Sequence, residues 1–345
     1  MAKKQGWTTV ISVILALVLI GMWASEVSAE AKPITLKYHS PFPKCYLSAA
    51  SELWMDQVEK RTKGKVKFDR IFGGTLGNLL AQPENIKEGV FDLGMTCAVY
   101  NPGLYSAATV TILPFTTSSY RAQALAGNEI FQQPAVEKQF TRLNSKFMFH
   151  TVWDPQEILS SVPLRTIDDL KKIKLRAHGG SAEALKEVGV TTYPVPWGEV
   201  PSAAERGVID AAACGTPIAA RDFGLYDIFP YWVRIRTFYF LPLTLTMNLK
   251  TWNKLPPDVK SVMADLNKEM VEKQIELYRA EEEKAWEFLK KHGMKQVEFS
   301  KKDLEIIKEK GAKVVWDRWV QKQKAKGIPA QELLDKYFNL LRKYD

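Results

Sequence analysis

From residue 34 to residue 249, stretches with the two-residue period of a strand take turns with stretches of helical period. Ile34, Leu36 and Tyr38 alternate with Thr35 and Lys37, which predicts a first strand. Leu47, Ala50, Trp54 and Val58 then recur at helical spacing until Lys63-Gly64. Further strands are predicted at 65–72, 90–97, 173–177, 191–195 and 208–213, with a long apolar one at 238–249. Segment 78–88 reads as helical with an interruption at Pro83, and Ser181 reads as the N-cap of a helix over 182–188 that stops at Gly189. Strands separated by helices cannot be joined by hairpins, so they pair in parallel with helices on their faces. The fold class is therefore α/β.

The pattern contains a repeat. Residues 85–97 read NIKEGVFDLGMTC and residues 203–215 read AAERGVIDAAACG, so Gly89, Val90 and Asp92 match Gly207, Val208 and Asp210 at a constant offset of 118. In each copy a helix ends at a glycine able to take the left-handed turn, and a short strand containing an aspartate then runs into small residues. The length of 345 residues also exceeds what one core ordinarily supports, and both observations point to two related lobes. From Asp258 to Lys290 the chain is charged, periodic and free of Gly and Pro, which predicts one long helix with an apolar line through Val262, Leu266, Met270, Ile275, Leu277, Trp286 and Leu289. Helices broken near Gly311 and Gly327-Ile328-Pro329 complete the chain.

The N-terminus predicts the compartment. Lys3 and Lys4 precede an apolar core from Val10 to Ala24, and Val27-Ser28-Ala29 offers small or branched residues for a cut after Ala29. These are the parts of a secretory signal peptide, residues 1–29, and the apolar core is short for a span. No second run approaches membrane length, so an exported, periplasmic product is expected. Cleavage removes two lysines and one glutamate, and the net charge of +9 stays basic. Export turns that charge away from nucleic acid and toward anionic small molecules.

In open α/β sheets ligands lie beyond the carboxyl ends of the strands. Arg176 sits at such an end, before the His178-Gly179-Gly180 turn, and a planar guanidinium can grip a carboxylate through two parallel hydrogen bonds. His178, Phe42, Tyr100, Trp153 and Trp197 occupy the same layer, as do Cys45, Cys97 and Cys214. A Cys45–Cys97 disulfide is open within the first lobe in an exported setting. The four histidines are too far apart for a local metal motif, no ligand spacing joins them to the cysteines, and neither metal nor cofactor is expected. Gly73-Gly74-Thr75-Leu76-Gly77 lacks the order of a dinucleotide or P-loop fingerprint and reads as a turn.

The mature chain resembles the DctP-type solute-binding proteins of tripartite ATP-independent periplasmic (TRAP) transporters. The resemblance is carried in order by "VEKRTKG" (58–64), "GGTLGN" (73–78), "EGVFDLG" (88–94), "ILPF" (112–115), the run 166–212 from "TIDDLKKIKLRAHGG" to "ERGVIDAA", and "NLKTWNKLPPDV" (248–259). It implies a two-lobe periplasmic-binding-protein-like (type II-like) fold with hinge strands and a long helix spanning both lobes. The expected lobes are 30–152 with about 242–282, and 153–241 with about 283–345. It implies no enzyme activity, but capture of an organic acid between the lobes and delivery to TRAP permease membrane subunits by a monomeric receptor. Arg176 matches the family's carboxylate clamp, Trp197 its aromatic position, and Cys214 stands where many relatives carry a polar Asn.

Two departures shape the expected ligand. Many sialic-acid and dicarboxylate binders carry a second arginine on the strand before Pro163, and Trp153–Ile158 has none. Cys214 also replaces an amide by a weakly hydrogen-bonding thiol. Both make the cleft less polar, so the expectation is a monocarboxylate with an apolar or aromatic body. The rival readings are an exported cysteine- or metal-dependent enzyme and a ligand-binding sensor ectodomain.

Overall fold

The computed structural model describes residues 32–235 and 240–345, the side chains of residues 152–154 and 214 excepted. The signal-peptide stretch 1–29 lies outside the described residues. Among the described residues eleven strands form two sheets. The first contains β1 (Ile34–His39), β2 (Val66–Ile71), β3 (Leu93–Cys97), β4 (Ser145–Pro155) and β10 (Phe240–Asn248), in the order β2-β1-β3-β10-β4. The second contains β5 (Glu157–Ser160), β6 (Leu175–Arg176), β7 (Thr192–Tyr193), β8 (Ala211–Gly215), β9 (Tyr231–Arg234) and β11 (Lys295–Glu298), in the order β11-β9-β5-β8-β6-β7. The result is the α/β two-lobe arrangement, with one sheet to a lobe.

The predicted parallel pairings are present between β1 and β3 and between β6 and β8. The antiparallel members are the strands that cross between sheets. Only Gln156 separates β4 of the first sheet from β5 of the second, and the chain returns from β9 to β10 through 235–239. The long helix Pro257–Lys291, 35 residues and on the order of 50 Å at 1.5 Å per residue, is the third connection. Its Asn267 accepts a hydrogen bond from Trp54 Nε1 (2.9 Å), and its Glu281 accepts one from Arg221 Nη2 (2.7 Å). Val259, Met263, Leu266, Met270, Gln274 and Tyr278 face inward, whereas Val262 and Leu277 of the expected apolar line are half-buried.

The repeat is a structural device. Gly89 and Gly207 both have positive φ (75° and 66°), and Val90 and Val208 stand exposed at 44% and 46%. Asp92 then clamps the neighbouring parallel strand: its N–H donates to Lys37 O (2.9 Å) while Oδ2 accepts from Lys37 N (2.9 Å). Asp210 does the same to Lys174, with its N–H to Lys174 O at 2.9 Å and Oδ2 accepting from Lys174 N at 2.8 Å. The valines belong to the turns, so the strands begin later than predicted, at Leu93 and Ala211.

Three local expectations differ from the structure. Pro83 does not interrupt a helix but starts one, Gln82–Glu88, where its missing N–H has no helical partner to lose. The helix after Arg176 begins at Gly179, with Ser181 buried inside it. Gly311 does not break the chain. It lies in a π-helical turn, Lys308–Ala312, between helices Lys301–Ile307 and Lys313–Lys324. A Cβ at Gly311 would come within 2.3 Å of Ala184 O, so glycine lets this turn press against helix Gly179–Glu187. The last helix, Ala330–Tyr344, lies on helix Tyr120–Phe131, where Tyr337 Oη donates to Gln123 Oε1 (2.5 Å).

Asp210→Ala should cost about 1.5–3 kcal/mol, the value of a charge-assisted hydrogen bond, in urea denaturation. Asp92→Ala should cost more, because Asp92 Oδ1 also accepts from the Thr251 hydroxyl (2.7 Å). Gly311→Ala should destabilise by about 1–3 kcal/mol through overpacking, read as a lowered Tm.

Candidate functional site

Arg176 closes β6 and is 2% exposed. Its position follows from pairing: β6 lies between β7 and β8, so its side chain leaves the sheet beside the ends of both neighbours. Nε donates to Val195 O (2.9 Å) and Nη1 to Ala213 O (3.2 Å). The guanidinium thus bridges the loop that carries Trp197 to the strand end that carries Cys214. Nη2 makes no hydrogen bond, and the group has no carboxylate partner, among the described residues. Burying a cation costs several kcal/mol unless an anion or hydrogen bonds compensate it, and two carbonyls compensate it in part.

His178 follows two residues later and is half-buried. Burial, reinforced by the nearby Arg176 charge, pushes its pKa down from 6.5 to about 4. At neutral pH the imidazole is therefore uncharged. Trp197 opens a 3-10 turn, Trp197–Glu199, and packs edge-on against Phe223 at 5.2 Å. The second sheet accordingly gathers Arg176, His178, Trp197 and the backbone of Cys214 at one rim. The thiol of Cys214 and the indole of Trp153 lie outside the described side chains.

The first sheet supplies a second rim. Phe42 follows β1 in a turn closed on Ser40, whose Oγ accepts from Phe42 N (3.1 Å). Cys97 ends β3 and is fully buried, and half-buried Tyr100 follows, its N–H on Cys97 O (3.2 Å). Burial pushes the Cys97 thiol up to about 12 and raises that of Cys45 as well. Both are free thiols, so the disulfide considered from the sequence is not formed. A raised thiol pKa is the reverse of what a cysteine nucleophile needs. Among the described residues no cluster of three metal-ligating side chains occurs.

His39 proves to be a support for the glycine turn. Its Nε2 accepts from Leu76 N (3.3 Å), which leaves Nδ1 to donate to Gln82 Oε1 (3.2 Å). Gln82 Nε2 in turn donates to Gly77 O (3.0 Å), so the turn 73–77 is held by side chains around it.

The sequence reading missed the pairing of Glu157 with Arg234. Glu157 begins β5, is buried, and meets Arg234 Nε at 3.0 Å, with the guanidinium over Trp232 at 4.1 Å. This ion pair sits beside Gln156, where the chain changes sheets. Only the order of the strands brings it together, and 77 residues separate its partners.

Two α/β lobes joined by crossing strands, with a buried arginine at one facing rim, define the class of two-lobe solute receptors. Residues 43–323 match the family profile of DctP, bacterial extracellular solute-binding protein family 7. The chain belongs to this family, the DctP-type solute-binding proteins of TRAP transporters. Its members are periplasmic receptors for organic acids that serve permease subunits, a family of substrate receptors rather than of enzymes. Among solved structures, a TRAP periplasmic solute-binding protein from Desulfovibrio salexigens is 29% identical with a TM-score of 0.80, over 90% of this chain and 97% of that one. A TRAP solute-binding protein from Rhodoferax ferrireducens, in complex with copurified benzoate, is 22% identical with a TM-score of 0.79, over 90% and 98%. A curated relative, the monocarboxylate 2-oxoacid-binding periplasmic protein of Nostoc sp., is 24% identical over 69% of this chain and 66% of its own. No helix among the described residues is long and apolar enough to cross a membrane.

The depressed histidines make a pH prediction. His150 is fully buried between Phe131 and Phe147 (4.5 and 5.1 Å), and burial lowers its pKa to about 3. Below the ordinary value of 6.5 the unfolded chain takes up protons at His150 and His178 that the folded chain refuses. Their contribution to stability is therefore lost as pH falls from 6.5 toward 4, and urea midpoints should fall over that range. His150→Phe should flatten the slope.

Proposed function

We propose that this protein captures a monocarboxylate with an apolar or aromatic body between its lobes and delivers it to a TRAP permease. The observation that carries the reading is the Arg176 guanidinium: 2% exposed, aimed by Val195 O and Ala213 O, and without a counter-ion among the described residues. A ligand carboxylate at Nη2 supplies the missing anion, and Arg offers the fork geometry for it. The ring of Trp197 gives the same rim an apolar surface, and His178, uncharged at neutral pH, adds no second positive charge. In this reading Phe42, Tyr100 and Cys97 stand on the ligand's other side, in the first lobe. Arg234, beside the sheet crossing, is engaged by Glu157 and so is not free to act as a second carboxylate clamp. The benzoate complex of the Rhodoferax relative and the name of the Nostoc relative agree with this class of ligand.

In this reading the lobes are 30–152 with about 242–282, and 153–241 with about 283–345. The receptor works as a monomer, exported through a cleaved signal peptide at 1–29. Closure is a hinge motion at Gln156 and along the long helix.

A thermal-shift panel tests the ligand class. Benzoate, hydroxybenzoates and branched-chain 2-oxoacids should raise Tm, and succinate and malate should not; a preference for the dicarboxylates overturns the assignment. Arg176→Lys should weaken the best monocarboxylate by about tenfold to a hundredfold in calorimetry, the loss of one to two charge-assisted hydrogen bonds. Unchanged affinity would place the clamp elsewhere.

A further inference from the structure

A cavity whose lining includes none of the residues proposed for the carboxylate site lies where helices of both lobes meet the long helix. It has a volume of about 360 Å³. Its walls come from the start of helix Tyr46–Arg61, from Thr151 of β4, from helix Pro217–Asp222 and from one turn after another of Pro257–Lys291. Most of that wall is apolar: Ala49 and Ala50 on one side, Ile218 opposite, Leu277 and the ring of Tyr278 along the long helix.

Gln274 breaks the pattern. It lines the cavity and is 2% exposed, yet neither Oε1 nor Nε2 of its amide has a hydrogen-bond partner among the described residues. A buried amide left without partners is costly, and natural structures leave few such groups unexplained. Thr151 does not relieve it, because the Thr151 hydroxyl donates to Leu243 O (3.1 Å). The charged groups of the cavity are already matched to one another: Arg221 binds Asp222 through Nε (2.8 Å) and Glu281 through Nη2 (2.7 Å). An incoming anion would meet two carboxylates and an arginine they occupy.

We propose that this cavity is a second small-molecule site, for an uncharged aromatic or branched aliphatic molecule whose one polar group both donates and accepts, a primary amide or an alcohol. Such a group satisfies Gln274 at both atoms, and the rest of the molecule covers Ala49, Ile218 and Leu277. Roughly 150 Å³ is enough to hold a benzene ring, so a substituted ring fits with room for its polar group. Because the walls come from both lobes, occupancy acts on the hinge to the extent that open and closed forms bind the molecule differently.

Benzamide is the probe and benzoate its charged counterpart. Cys45 lines the cavity, so its alkylation by iodoacetamide, read by peptide mass spectrometry on the full chain, reports occupancy. Benzamide should slow alkylation of Cys45, and crystals soaked in it should show the amide against Gln274. Gln274→Leu should weaken benzamide about tenfold, the loss of a paired hydrogen bond. Ala49→Phe should abolish the protection by filling the cavity; should that variant fail to fold, Gln274→Leu decides alone. Arg176→Lys should leave benzamide protection intact, which separates this site from the carboxylate clamp. Soaked crystals with only ordered water at Gln274, or equal protection in wild type and Gln274→Leu, would overturn the proposal, as would protection by benzoate as effective as that by benzamide.

Discussion

A chain that passes from one sheet to another must keep its backbone groups paired on both sides of the crossing, and here it does so across a single residue. β4 pairs with β10 up to Pro155, and β5 pairs with β8 from Glu157 onward, so Gln156 alone separates the two ladders. That economy fixes how far apart the sheets can stand and which strand ends face each other. The ion pair of Glu157 and Arg234 then ties the outgoing crossing to the returning one. In the proposed hinge closure, a bend at this point moves the two ladders without any strand losing its partners. Everything attributed to a receptor that closes on its ligand depends on this geometry.

Charge is distributed to match. The surface carries many exposed ion pairs, each of little consequence for stability, such as Lys65 with Asp258 and Arg61 with Glu269. The buried charges are fewer and have specific settings. Glu157 and Arg234 compensate each other, whereas Arg176 leans on two carbonyls and keeps one end of its guanidinium for something else. Next to it burial keeps His178 neutral, so the rim offers one cation rather than two. In the proposed reading, a single fixed cation at this rim favours one carboxylate over two.

The two aspartates of the repeat show how local sequence and topology cooperate. Asp92 and Asp210 each use both the backbone N–H and a side-chain oxygen to hold the strand next door, at β1 and just before β6. The clamp sets the register at the amino end of each parallel pair. It thereby fixes where the opposite, carboxyl ends finish, and these ends carry Phe42, Cys97, Arg176 and Cys214. In the proposed reading, features far from the cleft in each lobe thus position the residues that hold the ligand.

Much of this was legible in the chain alone. Alternation of period two and period three-and-a-half gave the α/β class, the Gly-Val-x-Asp copies marked equivalent turns, and the Gly- and Pro-free stretch marked the long helix, because these are properties of neighbours in sequence. Arg176 was also visible, from its place at a strand end before a glycine turn. Tertiary structure decided what depends on distant partners. It made Pro83 a helix start, placed a π turn at Gly311 against Ala184, buried Cys97 so that its thiol stays protonated, and paired Glu157 with Arg234 across 77 residues. It also left the amide of Gln274 facing a cavity, on a helix whose sequence showed only another polar residue among many. Periodicity reports which side of an element turns inward; only packing decides what waits there.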